Sequence, residues 1–364
     1  MRTKRIVVVM LTAFACAVAK AQLKPGFDKE EYAECLRMAS HMDSIRVDSQ
    51  YLSSKPQRFT RTYASAERGF DNEWELWEDR GSGLTAILLR ATVSTNISWT
   101  ANFNAGMVRA QGTCHIGKDV HYDLCPDSTA LTHAGWTACL AYMQEDILHK
   151  IDSCYATGKR DFLIAGHSQG GALSFLATAM LRRAQQKGRI ASDIRFKTYC
   201  SAAPKPGDYV FAMHYEHMTR GGWSFNIINA DDWVPETPLS VQRVSDFRPT
   251  NPFTQIEELM SGASLSTRIK IRFLMRKLTK PTNRAVKNLT KYLGKTVGEM
   301  LKSQRVEFDT PIYENVANFV RTGQTIVLMP TEKYYIRHPH KATDAFEHHQ
   351  YNAYEELIDE YNAQ

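Results

Sequence analysis

Leu163-Ile164-Ala165-Gly166-His167-Ser168-Gln169-Gly170-Gly171-Ala172-Leu173 decides how the rest of this chain is read. An apolar run ends in a glycine-flanked serine, and an Ala/Leu-rich helical run follows. Gly-x-Ser-x-Gly between a strand and a helix is the signature of a sharp turn that exposes a serine hydroxyl. Gly166 and Gly170 lack a Cβ, so strand and helix can approach closely there. The helix N-terminus leaves free N–H donors and a partial positive charge beside Ser168. That setting suits a nucleophile whose reaction develops an oxyanion. A solvated serine in a glycine-rich turn would not require His167 and Gln169 on either side.

Outward from this stretch, strands and helices alternate. Leu84–Leu89 is an apolar run broken only by Thr85, as expected of a strand buried on both faces. Trp74 and Leu76 alternate with Glu73 and Glu75 and predict a half-buried strand. Trp99, Phe103 and Met107 follow at helical spacing. Thr137 is a candidate N-cap for a helix to about Tyr155, with Leu140, Met143, Ile147 and Ile151 on one face. Further strands are predicted over 194–200, 223–229 and 325–329. The alternation implies a mostly parallel sheet flanked by helices. Ligands of such sheets bind outside the carboxyl ends of the strands.

A serine hydroxyl needs an adjacent base to act as a nucleophile near pH 7. In α/β-hydrolases the acid follows the serine in the chain, and the histidine follows the acid. Asp232 directly follows the strand at 223–229, with Asp231 as the alternative. Pro235 and Pro238 shape its loop. Four histidines lie after the last strand: His338, His340, His348 and His349. His348 and His349 open a C-terminal helical run, and adjacent helix positions point about 100° apart, so only one can face the serine.

The ordered motifs resemble the class 3 (fungal-type) lipase family of α/β-hydrolases. Leu88-Leu89-Arg90-Ala91-Thr92 is similar to its apolar-Phe-Arg-Gly-(Thr/Ser) strand end. His133-Ala134-Gly135-Trp136 is similar to its His-x-Gly-Phe. Gly166 to Leu173 is similar to Gly-His-Ser-Leu-Gly-Gly-Ala-Leu. Pro204 to Asp208, with Phe211-Ala212, resembles Pro-Arg-Val-Gly-Asn followed by Phe-Ala. Asp232-Trp233-Val234-Pro235 resembles Asp-x-Val-Pro. The resemblance covers about residues 70–240 and 320–360. It implies Ser168 as nucleophile, Asp232 as acid and His349, which precedes Tyr354 by five residues, as base. It also implies an oxyanion hole from Thr92 and the Gln169 N–H. Ala91 stands where the family usually has Gly, and Gln169 where it has Leu. The implied substrate is a carboxylic ester of a lipid, and the implied chemistry needs neither metal nor cofactor. An esterase for soluble esters, a peptidase, or a surface-binding protein with a dead site are the rival readings.

Composition sets the remaining expectations. The chain has 364 residues, 43% of them hydrophobic, enough for one large domain with an insertion. Three parts are expected: a signal peptide over 1–21, an N-terminal helical arm over 22–66, and a lipase-like domain over 67–364. Arg2, Lys4 and Arg5 precede an apolar run from Ile6 to Ala19, and Ala19-Lys20-Ala21 is a cleavage site. An exported chain starting at Gln22 follows. Lipidation of Cys16 is the alternative, against a poor lipobox. Six cysteines survive cleavage. Cys114 and Cys125 are the expected disulfide, and Cys139 and Cys200 are expected as buried apolar residues. No C-x-x-C occurs, so a cysteine-based zinc site is not expected.

Residues 250–322 are expected to form a helical insertion between the last two core strands. Residues 268–305 hold twelve Lys/Arg and one acid, Glu299, in a chain of formal net charge +6. The remainder is therefore net acidic. Ile269, Phe273, Leu278 and other apolar residues are interleaved, and Pro281 is expected to divide two helices. Such segments bind anionic lipid surfaces, and 262–305 are the candidate surface. A helical cap with a solvated basic face is the plainer reading. No recognised nucleic-acid module accompanies the charge, so no nucleic-acid partner is expected.

Overall fold

The computed structural model describes residues 23–340 and 343–361. The expected leader, with Cys16, lies outside the described residues. Seven strands form one sheet: β1 (Phe59–Ala64), β2 (Trp74–Asp79), β3 (Thr85–Leu89), β4 (Asp161–His167), β5 (Arg195–Ser201), β6 (Ser224–Asn229) and β7 (Gln324–Leu328). They lie side by side in that order. β1 to β3 are antiparallel, and β3 to β7 are parallel. Nine helices are used below: α1 (Lys29–Met42), α2 (Asn96–Phe103), α3 (Ala134–Ala156), α4 (Gln169–Gln186), α5 (Tyr209–Met218), α6 (Leu265–Leu289), α7 (Val297–Gln304), α8 (Glu332–Arg337) and α9 (Tyr351–Glu360). No described helix is long and apolar enough to cross a membrane.

Alternate side chains of the central strands feed two apolar layers. Ile87, Leu89, Phe162, Ile164 and Phe196 pack with Leu140, Ile147, Leu173 and Leu176 of α3 and α4. Leu88, Leu163, Ala165, Tyr199 and Phe225 pack on the opposite face with Tyr32 and Leu36 of α1 and with Tyr354 and Leu357 of α9. Continuous apolar strands are thus sandwiched between helices, as burial on both faces demands. The segment 22–66 also supplies edge strand β1, which has no clear apolar alternation. β2 therefore lies inside the sheet and is nearly all buried rather than half-buried. Its Glu75 is tolerated there because Arg61 Nη1 (2.8 Å) and Trp77 Nε1 (2.8 Å) donate to it.

Local signals and tertiary context part company at five places. α3 starts at Ala134, three residues before the expected cap, because the His133 ring accepts from the Trp136 N–H and caps the helix. Met107 leaves the helical stripe and pairs as a strand with His133. Pro281 does not divide the insertion: α6 runs through it, with the ring on an exposed position. The helix changes pitch instead at a π-helical turn, Thr290–Thr296. There Gly294 packs closely on Tyr313 and Gly106. His348 and His349 lie in a 3₁₀ turn just before α9, not on the helix itself. Cys114 and Cys125 are both free thiols. Cys114 pairs with Val120 across a hairpin, and Cys125 lies five residues past Val120. At about 3.3 Å per residue that is roughly 16 Å, beyond the ~7 Å Cα reach of a disulfide. Cys139 and Cys200 are buried in the core.

Candidate active site

The turn between β4 and α4 holds Ser168 at φ 58° and ψ −124°, a backbone conformation that is costly for a residue with a Cβ. Its N–H donates to the Ser201 carbonyl at 2.9 Å, tying the turn to β5. The flanking glycines are sterically required. A Cβ on Gly166 would lie 2.4 Å from the Gly170 backbone, and one on Gly170 would lie 2.1 Å from the Leu89 carbonyl oxygen. β3, β4 and α4 meet too closely there for any side chain.

Asp232 follows β6, as β-strand ends in such sheets carry functional loops. Its carboxylate is buried and accepts three hydrogen bonds. Val234 N–H reaches Oδ1 at 2.9 Å; the Tyr354 hydroxyl reaches Oδ2 at 2.8 Å; and His349 Nδ1 reaches Oδ2 at 2.7 Å. Burial, then the Asp232 charge, pushes the Tyr354 phenol well above its ordinary range, so it stays a donor. With Nδ1–H given to Asp232, the His349 Nε2 lone pair is free to take a proton. Asp231, the alternative acid, points elsewhere and accepts from Tyr335 OH at 2.6 Å. His348, the alternative base, is held by Tyr334 OH at 2.9 Å and by His340 at 3.0 Å.

Ser168 and His349 line one cavity of about 460 Å³ with Thr92 and Gln169. Its other walls are mostly apolar and include Trp136, Val234, Leu239 and Leu293. At the mouth, Trp99 and Phe103 on α2 and Trp233 are exposed. Trp99 stacks on Phe103, and Phe346 bridges Trp99 and Trp233 with ring centroids 6.2 and 5.3 Å apart.

Two side chains that sequence reasoning left without a role brace this site. His167 is buried between two backbones. Its Nε2–H donates to the His349 carbonyl at 2.7 Å, so Nδ1 accepts from Ser201 Oγ at 2.9 Å. Tyr32 OH of α1 completes the chain at 2.8 Å from Ser201 Oγ. Burial, reinforced by nearby His349, holds the His167 pKa well below the ordinary range. Asn102 on α2 is the second brace. Its Oδ1 accepts from Gln169 Nε2 (2.8 Å) and Trp136 Nε1 (2.9 Å), which fixes Nδ2 as a donor to Thr92 Oγ1 at 2.8 Å. The Thr92 O–H is then left to donate elsewhere. Spacing could not have found either residue, because each acts on partners far away in sequence.

His167 gives a pH test. Its folded pKa lies below the unfolded value of about 6.5, so the unfolded chain binds the extra proton. The stability tied to neutral His167 is complete above that pH and is lost as pH falls through it. A His167→Gln variant lacks this titration. The stability gap between wild type and variant should therefore narrow by roughly 1.4 kcal/mol per pH unit below about 6.5, read from denaturant melts at pH 8, 6 and 5. A gap independent of pH would rule this out.

A mostly parallel sheet, a strand–serine–helix turn, an aspartate after the next strand but one and a histidine beyond the last strand are the arrangement of an α/β-hydrolase fold. Residues 86–242 match the family model described as lipase (class 3). Among solved structures, the chain is similar to the Rhizomucor miehei lipase propeptide complex at 17% identity, over 59% of this chain and 65% of that one, with a TM-score of 0.41. It is similar to a triacylglycerol lipase from Penicillium expansum at 14% identity, over 58% and 75%, TM-score 0.45. For lipase II from Rhizopus niveus the values are 18%, 58% and 73%, and 0.42. No curated protein matches the chain in sequence.

Proposed function

We propose that this chain is an exported serine hydrolase that cleaves carboxylic esters of lipids through an acyl-enzyme. Ser168 Oγ attacks the ester carbonyl carbon while its proton passes to His349 Nε2. Asp232 holds the imidazole in that tautomer and stabilises imidazolium. The carbonyl π electrons move to oxygen, and the Thr92 O–H and the Gln169 N–H receive the oxyanion. Gln169 is the first residue of α4, where backbone N–H groups lack helical acceptors. Collapse expels the alcohol, which takes the proton from His349. Water then repeats the sequence on the acyl-enzyme and releases the acid. No metal or cofactor enters these steps.

The 2.7 Å contact between His349 Nδ1 and Asp232, on the cavity that Ser168 lines, carries this reading. A fluorophosphonate probe should label the wild-type chain and leave Ser168→Ala unlabelled. Labelling that survives in Ser168→Ala would sink the proposal, and a wild-type chain that takes no label would favour the surface-binding alternative. The apolar cavity and its aromatic rim favour an acyl chain over a small soluble ester. A rate jump when the substrate passes its micellar threshold is the expected signature.

The insertion supports docking at a lipid surface. α6 leaves Ile269, Phe273, Leu274 and Leu278 more than half exposed amid Lys and Arg. Below it Leu293 reaches the cavity, and Gln304 Nε2 donates to Thr100 Oγ1 of α2 at 3.3 Å. Deleting 262–305 would thus disturb the cavity as well as the charge. Arg276→Glu, Lys280→Glu and Arg284→Glu together reverse three exposed charges on α6 and leave the cavity alone. This triple variant should lose binding to anionic vesicles far more than to neutral ones. Losses of equal size would mean that the basic face is merely solvated.

A further inference from the structure

Beside the Asp–His pair, on the side away from the cavity, lies a second cluster that the reaction does not use. Asp231, His340 and His348 each present one donor atom, and these atoms lie within 4.8 Å of one another. His340 Nδ1 is 3.0 Å from His348 Nε2, and His340 Nε2 is 3.6 Å from Asp231 Oδ2. We propose that these three side chains form a binding site for a divalent transition metal, with zinc the ion best suited to it.

Two imidazoles and one carboxylate are a donor set for zinc, whereas calcium and magnesium prefer all-oxygen shells. Tetrahedral zinc with bonds of about 2.0–2.1 Å holds its donors roughly 3.3 Å apart. One donor atom from each residue already lies within 4.8 Å of the other two, so a modest inward movement reaches that spacing. His340 is largely exposed, so its ring can turn to close the set, and the fourth position opens to water.

The two ligands nearest the core are held from behind, as metal ligands are. His348 Nδ1 meets the Tyr334 hydroxyl at 2.9 Å, and that oxygen also accepts from Asn229 Nδ2 at 2.9 Å. With Nδ1–H donated to Tyr334, His348 presents the Nε2 lone pair. Asp231 accepts from Tyr335 OH, and its N–H donates to Asn229 Oδ1 at 3.1 Å. Asn229, the last residue of β6, thus anchors both ligands.

Position gives the ion its effect. Asp231 adjoins Asp232, and His348 adjoins His349. A bound ion would clamp the two backbone segments that present the acid and the base, without entering the cavity, which none of the three ligands lines. The role is that of a staple on the site, separate from the bond-making steps.

The test uses the full mature chain stripped with a chelator. Titration with Zn²⁺ in a calorimeter should show one ion per chain for the wild type and none for His340→Ala or Asp231→Asn. His340 is exposed, so its variant keeps the fold, and its unliganded melting temperature should equal that of the stripped wild type. Zn²⁺ should raise the melting temperature of the wild type only. Co²⁺ in place of zinc should give the intense visible bands of a tetrahedral site, lost in His340→Ala. No binding by the wild type, or equal binding by His340→Ala, would overturn the proposal and leave a plain hydrogen-bonded cluster. Fluorophosphonate labelling of His340→Ala reports separately on the hydrolase reading.

Discussion

Asp232→Asn should lower kcat by about 10⁴-fold with little change in KM or in melting temperature, since exchanging a triad aspartate for asparagine imposes the wrong imidazole tautomer. The geometry gives the reason. Asp232 Oδ2 accepts from both His349 Nδ1 and Tyr354 OH, and Oδ1 accepts from Val234 N–H. An asparagine oxygen can keep the Val234 bond. Its NH₂ then faces His349 and Tyr354. The imidazole can only answer by accepting at Nδ1, which moves its proton to Nε2. A protonated Nε2 cannot take the Ser168 proton. Tyr354→Phe is the contrast. It removes one donor to the carboxylate, worth about 1.5–3 kcal/mol for a bond to a charged group, so its effect on kcat should be about 10²-fold at most. Steady-state kinetics on one ester substrate compare the two variants. Similar losses in both would mean that the carboxylate acts as a packing element and not through the tautomer.

Most of the fold could be read from the chain because its central strands are continuous apolar runs and its turns carry Gly, Pro and Asp. β3 and β4 are of that kind. β1 was invisible because an edge strand needs no apolar face, and Phe59-Thr60-Arg61-Thr62-Tyr63-Ala64 shows none. With β1 unseen, β2 was expected to be half-buried. The Ser168 turn was legible because its marker is local: the two glycines within two residues of the serine stand where an added Cβ would lie 2.1–2.4 Å from backbone atoms. Choosing between His348 and His349 was not a local matter. Both lie in one 3₁₀ turn, and what separates them is Tyr334 and His340 on one side and Asp232 on the other. The same holds for His167 and Asn102. Each meets a partner more than twenty residues away in addition to any nearer one, and no periodicity encodes that. The metal cluster was hidden for the same reason, since residues 231, 340 and 348 share no ligand spacing. Pro281 misled in the opposite direction. A proline removes one helical hydrogen bond and crowds the preceding turn, which disfavours a helix without forbidding it, and α6 runs through Pro281 on an exposed position.

Thr92→Ala should lower kcat by about 10²–10³-fold, the usual cost of removing one oxyanion donor, while KM changes little and Thr92→Ser restores most of the rate. The hydroxyl is prepared for this before substrate arrives. Asn102 Nδ2 donates to Thr92 Oγ1, so the hydroxyl proton has no role toward Asn102 and can be directed into the cavity. Asn102 is in turn set by Gln169 Nε2 and Trp136 Nε1, which both donate to its Oδ1. The second donor proposed for the oxyanion, the Gln169 N–H, belongs to the residue whose side chain donates to Asn102 Oδ1. Asn102→Ala should therefore lower kcat in the same direction as Thr92→Ala but by less, because the threonine rotor is loosened and not removed. In the double variant the losses should not add, since both act on one hydrogen-bond donor. Losses that multiply in the double variant would show that Asn102 acts through α2 and the cavity mouth instead. A Thr92→Ala enzyme as fast as the wild type would assign the first oxyanion contact to backbone and leave the side chain without a catalytic part.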